Sequence, residues 1–267
     1  MKMKRVFYGV YLTAIVLTII IHGLISQLYC GYVQRNTDLI LARYHESLDY
    51  LNNKHFKNFR TIYIYNKGDI LLESKLPKNS IVIPLENVGR EGHSYLYHII
   101  HQHNNLADHN IFLPASFESH PLKKQAVQYL FKNYPFSSYC FFGENFKKPI
   151  VEASFDFTIE HYACTNTENF HFNNDIKLKP ADIRPYGLWL KNFFPNNNQN
   201  FQSACGIFAV NKQLILDNKM ELYIALFKEL NDHHNPEAGH YMERSWAALF
   251  NNQNKLEYAQ LNNKTMV

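Results

Sequence analysis

Between Ser80 and His120 the chain reads SIVIPLENVGREGHSYLYHIIHQHNNLADHNIFLPASFESH. The β-branched run Ser80–Pro84 predicts a strand, the spacing of apolar residues from about Glu91 to His103 predicts a helix, and Asn110–Leu113 predicts a second strand. Strand, helix and strand in that order form a crossover unit, which constrains the two strands to run parallel in one sheet. Each strand ends in a polar loop. In the first, Asn87, Arg90, Glu91 and His93 surround Gly89 and Gly92, so backbone and side chains could both meet a charged or sugar-like ligand. The second, Pro114 to His120, has a different chemistry.

The flanking sequence continues the alternation. Thr37–Ala42 and Arg60–Tyr65 read as strands, with helical spacing from Glu46 to Lys54 between them. After His120 come a helix at Leu122–Asn133, a strand at Gly206–Val210, and helices at Met220–Leu230 and Gly239–Phe250. The aromatic, irregular stretch from Pro135 to Asn200 reads as an insertion or lid. The fold class is therefore α/β, with a doubly wound, mostly parallel sheet. Ligands of such sheets sit beyond the carboxyl ends of the strands, where Arg43 to Glu46, Asn66 to Gly68, Asn87 to His93 and Pro114 to His120 all fall.

The N-terminus adds a membrane segment. Lys2, Lys4 and Arg5 precede Val6–Leu28, which holds no Asp, Glu, Lys or Arg, and about 20 such residues cross a bilayer core. The charge placement predicts a single-pass signal anchor with residues 1–5 as a cytoplasmic tail, 6–28 as the span, and one α/β domain at 36–267 on the lumenal or periplasmic side. A cleaved signal peptide is the rival reading, but no small-x-small site follows the apolar run. An oxidising compartment would permit one disulfide, with Cys140–Cys164 the preferred pair, and no Cys-x-x-Cys or Cys-x-x-His suggests zinc. With 46% hydrophobic and 19% charged residues the chain is too apolar for disorder. A net charge of +4 without a Lys/Arg run past the N-terminus gives no nucleic-acid footprint.

Six strings in order, LARYHESLDYL, IYIYNKG, ENVGREGHSYLYHII, PYGLWL, CGIFAVNKQLI and GHYMERSWAALF, resemble the family catalogued as domain of unknown function 3431. The resemblance covers nearly everything after residue 36. More distantly, the succession of strands and loops is similar to glycosyltransferases of the GT-A fold, in which a nucleotide-sugar lies across the strand ends. That likeness implies that Arg43, Tyr44 and Glu46 border the base, that Arg90 and the start of the following helix approach the diphosphate, and that Glu243, with Arg244 beside it, serves as base. Where those transferases carry a metal-binding Asp-x-Asp, this chain has Pro114, Ala115 and Ser116. Hard divalent cations want carboxylate oxygens, so the expectation is a site without metal ligands, in which Arg43, Lys67, Arg90 and Arg244 neutralise the diphosphate. Glu118 and His120 are the possible substitutes.

Architectural readings stand beside these. Gly89 and Gly92 could serve only a tight turn capped by Glu91, the Asn66–Lys67–Gly68 loop could be an ordinary turn, and Tyr44 to Glu46 a helix cap. Glu243 and Arg244 could form an ion pair that positions their helix. His98 and His101 share a helix face without His-Glu-x-x-His, which favours structural histidines over a metal pair. Two functions compete: a membrane-anchored transferase moving a sugar from a nucleotide-sugar to a hydroxyl acceptor, and a non-catalytic saccharide- or protein-binding module of the same fold. Hydrolysis finds neither a Gly-x-Ser-x-Gly elbow nor a His-Glu-x-x-His helix.

Overall fold

The alternation of side chains along each strand shows how the sheet is buried. In β1 (Thr37–Arg43) Leu39 and Leu41 enter one core and Ile40 the other; β2 (Thr61–Asn66) divides Ile62 and Ile64 from Tyr63 and Tyr65 in the same way. Such two-sided burial explains why these strands read as nearly continuous apolar runs, as sheets covered on both faces require. The protein, a computed structural model, is described over residues 2–71, 73–159 and 179–250.

Among the described residues the sheet has six strands in the order β3-β2-β1-β4-β6-β5, with β3 at Ser80–Pro84, β4 at His109–Pro114, β5 at Tyr139–Asn145 and β6 at Phe201–Asn211. Strands β1 to β4 are parallel, whereas β6 pairs antiparallel with both β4 and β5. The sheet is therefore mixed, though mostly parallel. One face is covered by helices α2 (Arg90–His101), α5 (Tyr186–Phe193), α7 (Met220–Lys228) and α8 (Glu237–Phe250), which enclose Tyr95, Trp189, Tyr223 and Trp246. The other carries α3 (Pro121–Asn133) and the loops that bury Leu51, Phe56, Phe59 and Phe117. Two short helices, α4 (Ile150–Ala153) and α6 (Lys212–Leu216), complete the element order.

Two expectations change, and a third falls partly outside the described residues. The helix read at Glu46–Lys54 is a single 3-10 turn at Asp49–Asn52, because Asn52 donates its amide to Lys75 O and the Asn53 N–H closes on Tyr50 O. The stretch read as an insertion or lid supplies strand β5 and the packed helix α5, whose Trp189 and Leu190 are fully buried. Aromatic side chains that looked irregular are there because both strands and helices use them to fill the same core. The preferred Cys140–Cys164 pair lies partly outside the described residues; Cys140 is a free thiol on β5, which burial pushes up to about 12.

Helix α1 runs from Lys2 to Arg35, and its segment Ile15–Arg35 is long and apolar enough to cross a membrane. Only Asn36 separates it from β1. Thr37 Oγ1 donates to Val33 O at 2.7 Å and Gln34 Nε2 to His55 O at 2.6 Å, so the helix end is fastened to the domain.

The centre of the larger core is Phe208, whose ring lies 4.7 Å from Phe112 and 4.8 Å from Trp246 between sheet and α8. Phe208→Ala is expected to lower stability by about 3–5 kcal/mol, read from denaturant unfolding of the detergent-solubilised chain.

Candidate functional site

The strand order places a topological switch point between β1 and β4, where the chain has gone outward to β3 and returned on the other side. Sheets of this kind hold ligands in the crevice outside the carboxyl ends at that point. Because β6 runs the other way, it brings residues from its first half, Cys205 and Gly206, to the same edge as the ends of β1 and β4. Sequence patterns gave no sign of this.

Two pairs of residues at this edge have left-handed backbones: Gly89 and Arg90 at φ 62° and 52°, and Cys205 and Gly206 at 62° and 60°. A Cβ at Gly89 would stand 2.3 Å from Leu230 O, so glycine is required there by space as well as by φ. A Cβ at Gly206 would stand 2.9 Å from Cγ of Glu91, so the two pairs face each other with Glu91 packed between them. For the side-chain-bearing Arg90 and Cys205 this conformation costs about 1–2 kcal/mol each. Two ionisable side chains hold them. Lys67 Nζ donates to Val88 O and, at 2.5 Å, to Arg90 O, while Glu243 Oε1 accepts from the Cys205 N–H at 2.8 Å.

Carboxylates from α2 and α8, Glu91 and Glu243, thus converge on Cys205–Gly206 with basic groups around them. Arg90 Nη1 lies 3.1 Å from His240 Nε2, and its Nε 3.8 Å from the Glu91 carboxylate. Arg244 donates to His240 O and lies over the Phe157 ring at 4.0 Å. Lys123, from the first turn of α3, approaches Ser116 Oγ at 3.5 Å and shares the field at Cys205. Burial, followed by Arg90 and Arg244, pushes His240 well below the usual imidazole range. It is neutral, and its Nε2 can accept from Arg90 or donate to Asn235 Oδ1 at 3.2 Å, not both. Burial, then the Glu243 carboxylate, raises the Cys205 thiol to about 11, so it is not a thiolate nucleophile.

The residues expected from sequence divide by role. Arg43 is 8% exposed and holds its own loop, with Nε donating to Glu46 O and Nη1 to Asn66 Oδ1 and Asp69 O. Asn66 donates to Asp69 O, and Glu46 folds back to accept from the Tyr44 N–H. These three fix the β1 and β2 loops, while the Tyr44 ring is exposed beside His45. Asn87 is exposed on the outer loop. His93 turns inward to stack on Phe227 at 4.6 Å, and burial, then Lys67, lowers it to about 3. His120 contributes its backbone to the start of α3, and Glu118 pairs with Lys124. His98 is a core residue bonded to Tyr65 at 2.9 Å, and His101 is exposed on Tyr97.

Lys123, Cys205, Gly206 and His240 join the site without a sequence signal. So does Tyr50, whose buried hydroxyl has no hydrogen-bond partner among the described residues and whose ring meets Phe117 beyond β4 at 4.9 Å, between the β1 and β4 loops. Among the described residues, no three His, Cys, Asp or Glu side chains are grouped to hold a metal ion. An open depression of about 370 Å³, bordered by Asp108, His109 and Lys212, lies at the amino end of β4, the edge opposite the switch point. No protein-family model matches the chain, and no curated protein matches it.

Burial dominates the shift of Lys67, which falls from 10.5 to about 7, with Glu91 opposing it. Above about 7 the folded chain then holds one proton fewer at this group than the unfolded chain does, so this group's contribution favours folding increasingly as pH rises to 10.5. The stability of the native chain relative to Lys67→Met is expected to grow between pH 7 and 10, by at most about 1.4 kcal/mol per pH unit. Melting of both proteins across that range checks it; a constant difference contradicts it.

Proposed function

We propose that the chain is a membrane-anchored, glycosyltransferase-like protein that moves a sugar from a nucleotide-sugar to a hydroxyl acceptor without an Asp-x-Asp metal site. The observation that carries this reading is the convergence of Glu91, Glu243, Arg90, Lys123 and Arg244 on the carboxyl edge beside the β1/β4 switch point. The succession of strands and loops, which resembles that of GT-A glycosyltransferases, supports the same reading; the resemblance to the domain of unknown function 3431 family bears on the fold and not on the chemistry. The anchor, with the domain on the lumenal or periplasmic side, is part of the proposal and is supported by Lys2, Lys4 and Arg5 ahead of the apolar helix.

In this scheme Glu243 takes the proton of the acceptor hydroxyl through Oε2. Its Oε1 is already committed to the Cys205 N–H, and no other hydrogen bond reaches it among the described residues. The acceptor oxygen bonds to the anomeric carbon of the sugar, the bond from that carbon to the diphosphate oxygen breaks, and the nucleoside diphosphate leaves with the bonding pair. Arg90, Lys123 and Arg244 would stabilise the charge on that leaving group, the role that a cation otherwise supplies. Lys67 and Arg43 act one step back, by fixing the loops that present these groups.

The binding-module reading is favoured by one observation. Ser116, at the position expected of a metal-binding carboxylate, has its hydroxyl beside Lys123 instead. The two readings separate in one series. The full chain in detergent is expected to melt roughly 5–10 °C higher with one nucleotide-sugar at a hundredfold excess over Kd, chelator present or absent. Glu243→Gln keeps an oxygen for the Cys205 N–H, so it should preserve that shift while lowering turnover by about 10²–10⁴-fold. Donor binding without turnover in the native chain would favour the module, and no response to any donor would contradict both the donor site and the transferase.

A further inference from the structure

The residues around the exit of α1 have a composition of their own. Three segments meet there: the end of the helix at 29–36, the loop 53–59 reached by Gln34 through His55 O, and the turn 134–136, where Phe136 stacks on Tyr29 at 5.7 Å. Arg35, Lys54 and Lys57 are exposed in the first two, and Lys132 stands exposed on the last turn of α3 just ahead of the third. None makes an ion pair among the described residues, and there is no Asp or Glu in 29–36, 53–59 or 129–138. Tyr29, Tyr32 and Phe136 are 45%, 58% and 60% exposed in the same place. Exposed aromatic rings beside unpaired lysines, directly after an apolar helix long enough to span, match the chemistry of a bilayer interface, where aromatics occupy the headgroup level and basic residues meet anionic lipid in whichever leaflet carries it, so the inference does not depend on which side the domain faces.

We propose that this collar is a binding surface for anionic phospholipid headgroups, which seats the amino end of the sheet on the bilayer and turns the Glu91–Glu243 edge away from it. The proposal rests on the reading of α1 as a membrane anchor. Its geometry follows from connectivity: α1 enters β1 at the amino end, and its described tertiary hydrogen bond and ring contact fall on loops at that same end. Seven residues of β1 rise about 3.3 Å each, so the candidate site stands roughly 20 Å further from the bilayer than the collar does. The acceptor at that edge is then a group that reaches it from solution or on a long chain, not a headgroup lying in the membrane plane.

The full chain, reconstituted in nanodiscs of phosphatidylcholine alone or with one third phosphatidylglycerol, tests this by amide hydrogen exchange. Residues 53–59 and 131–138 are expected to exchange about fivefold more slowly in the anionic discs, the factor that corresponds to one lysine near such a surface. The difference should vanish in 1 M salt and in Lys54→Gln/Lys57→Gln/Lys132→Gln, while residues 201–211 of β6 exchange alike throughout and so report an intact fold. Equal rates in the two lipids, or a difference that survives the triple substitution, would overturn the proposal. Resistance to alkaline carbonate extraction reports the anchor separately: a chain released by carbonate contradicts the anchor, whereas a retained chain with equal collar rates contradicts only the headgroup surface.

Discussion

The hydrogen bond from the Cys205 N–H to the Glu243 carboxylate ties together the parts of the molecule that matter most. It joins β6 to α8 at the point where the β6 backbone is left-handed, and so sets where Gly206 stands and where Glu91 can pack. A left-handed conformation at a side-chain-bearing residue is held only when its surroundings over-determine it, and such places cluster at functional sites. Here a lysine amine on one side and a carboxylate on the other supply those surroundings. Lys67 does for the carbonyls of Val88 and Arg90 what Glu243 does for the Cys205 amide, and the two strained pairs meet across one carboxylate. The reversed direction of β6 is the topological condition for all of it.

The fold also gives the chain two ends of opposite character. At the amino end of the sheet the helix α1 enters, with exposed lysines and aromatic rings around it. At the carboxyl end the loops are bound to one another through Arg43, Asn66 and Lys67, and the groups left to meet a ligand come from three helices. Since parallel strands point the same way, a chain that enters by the amino end of β1 must present its ligand edge at the far side. The separation of α1 and candidate site is a consequence of strand direction.

Much of this was legible in the sequence where side-chain period alone decides structure. The strands β1 to β4 and the helices α2, α3, α7 and α8 follow from apolar runs and 3.6-residue spacing, and the loops at their carboxyl ends were correctly placed on one edge. Strand β5 was not legible, because Tyr139 to Asn145 lies in a stretch whose aromatics are used by strand and helix alike. The division of labour within the site was hidden for a different reason. Arg43 and His93 have the right chemistry for a ligand, yet one is consumed by backbone carbonyls of its own loop and of the loop after β2, and the other stacks on Phe227. Lys123 and Cys205 arrive from remote segments, and no local pattern announces a left-handed cysteine.

The proposed function requires a nucleoside diphosphate at the β1/β4 switch point, held by basic side chains. An experimental structure of the full chain with a nucleotide-sugar, prepared in chelator, tests it most directly. The diphosphate is expected beside Arg90 and Lys123, with the sugar toward Glu243 and Gly206. A nucleotide found at the amino end of β4, or density at the site only when a divalent metal is supplied, would contradict it.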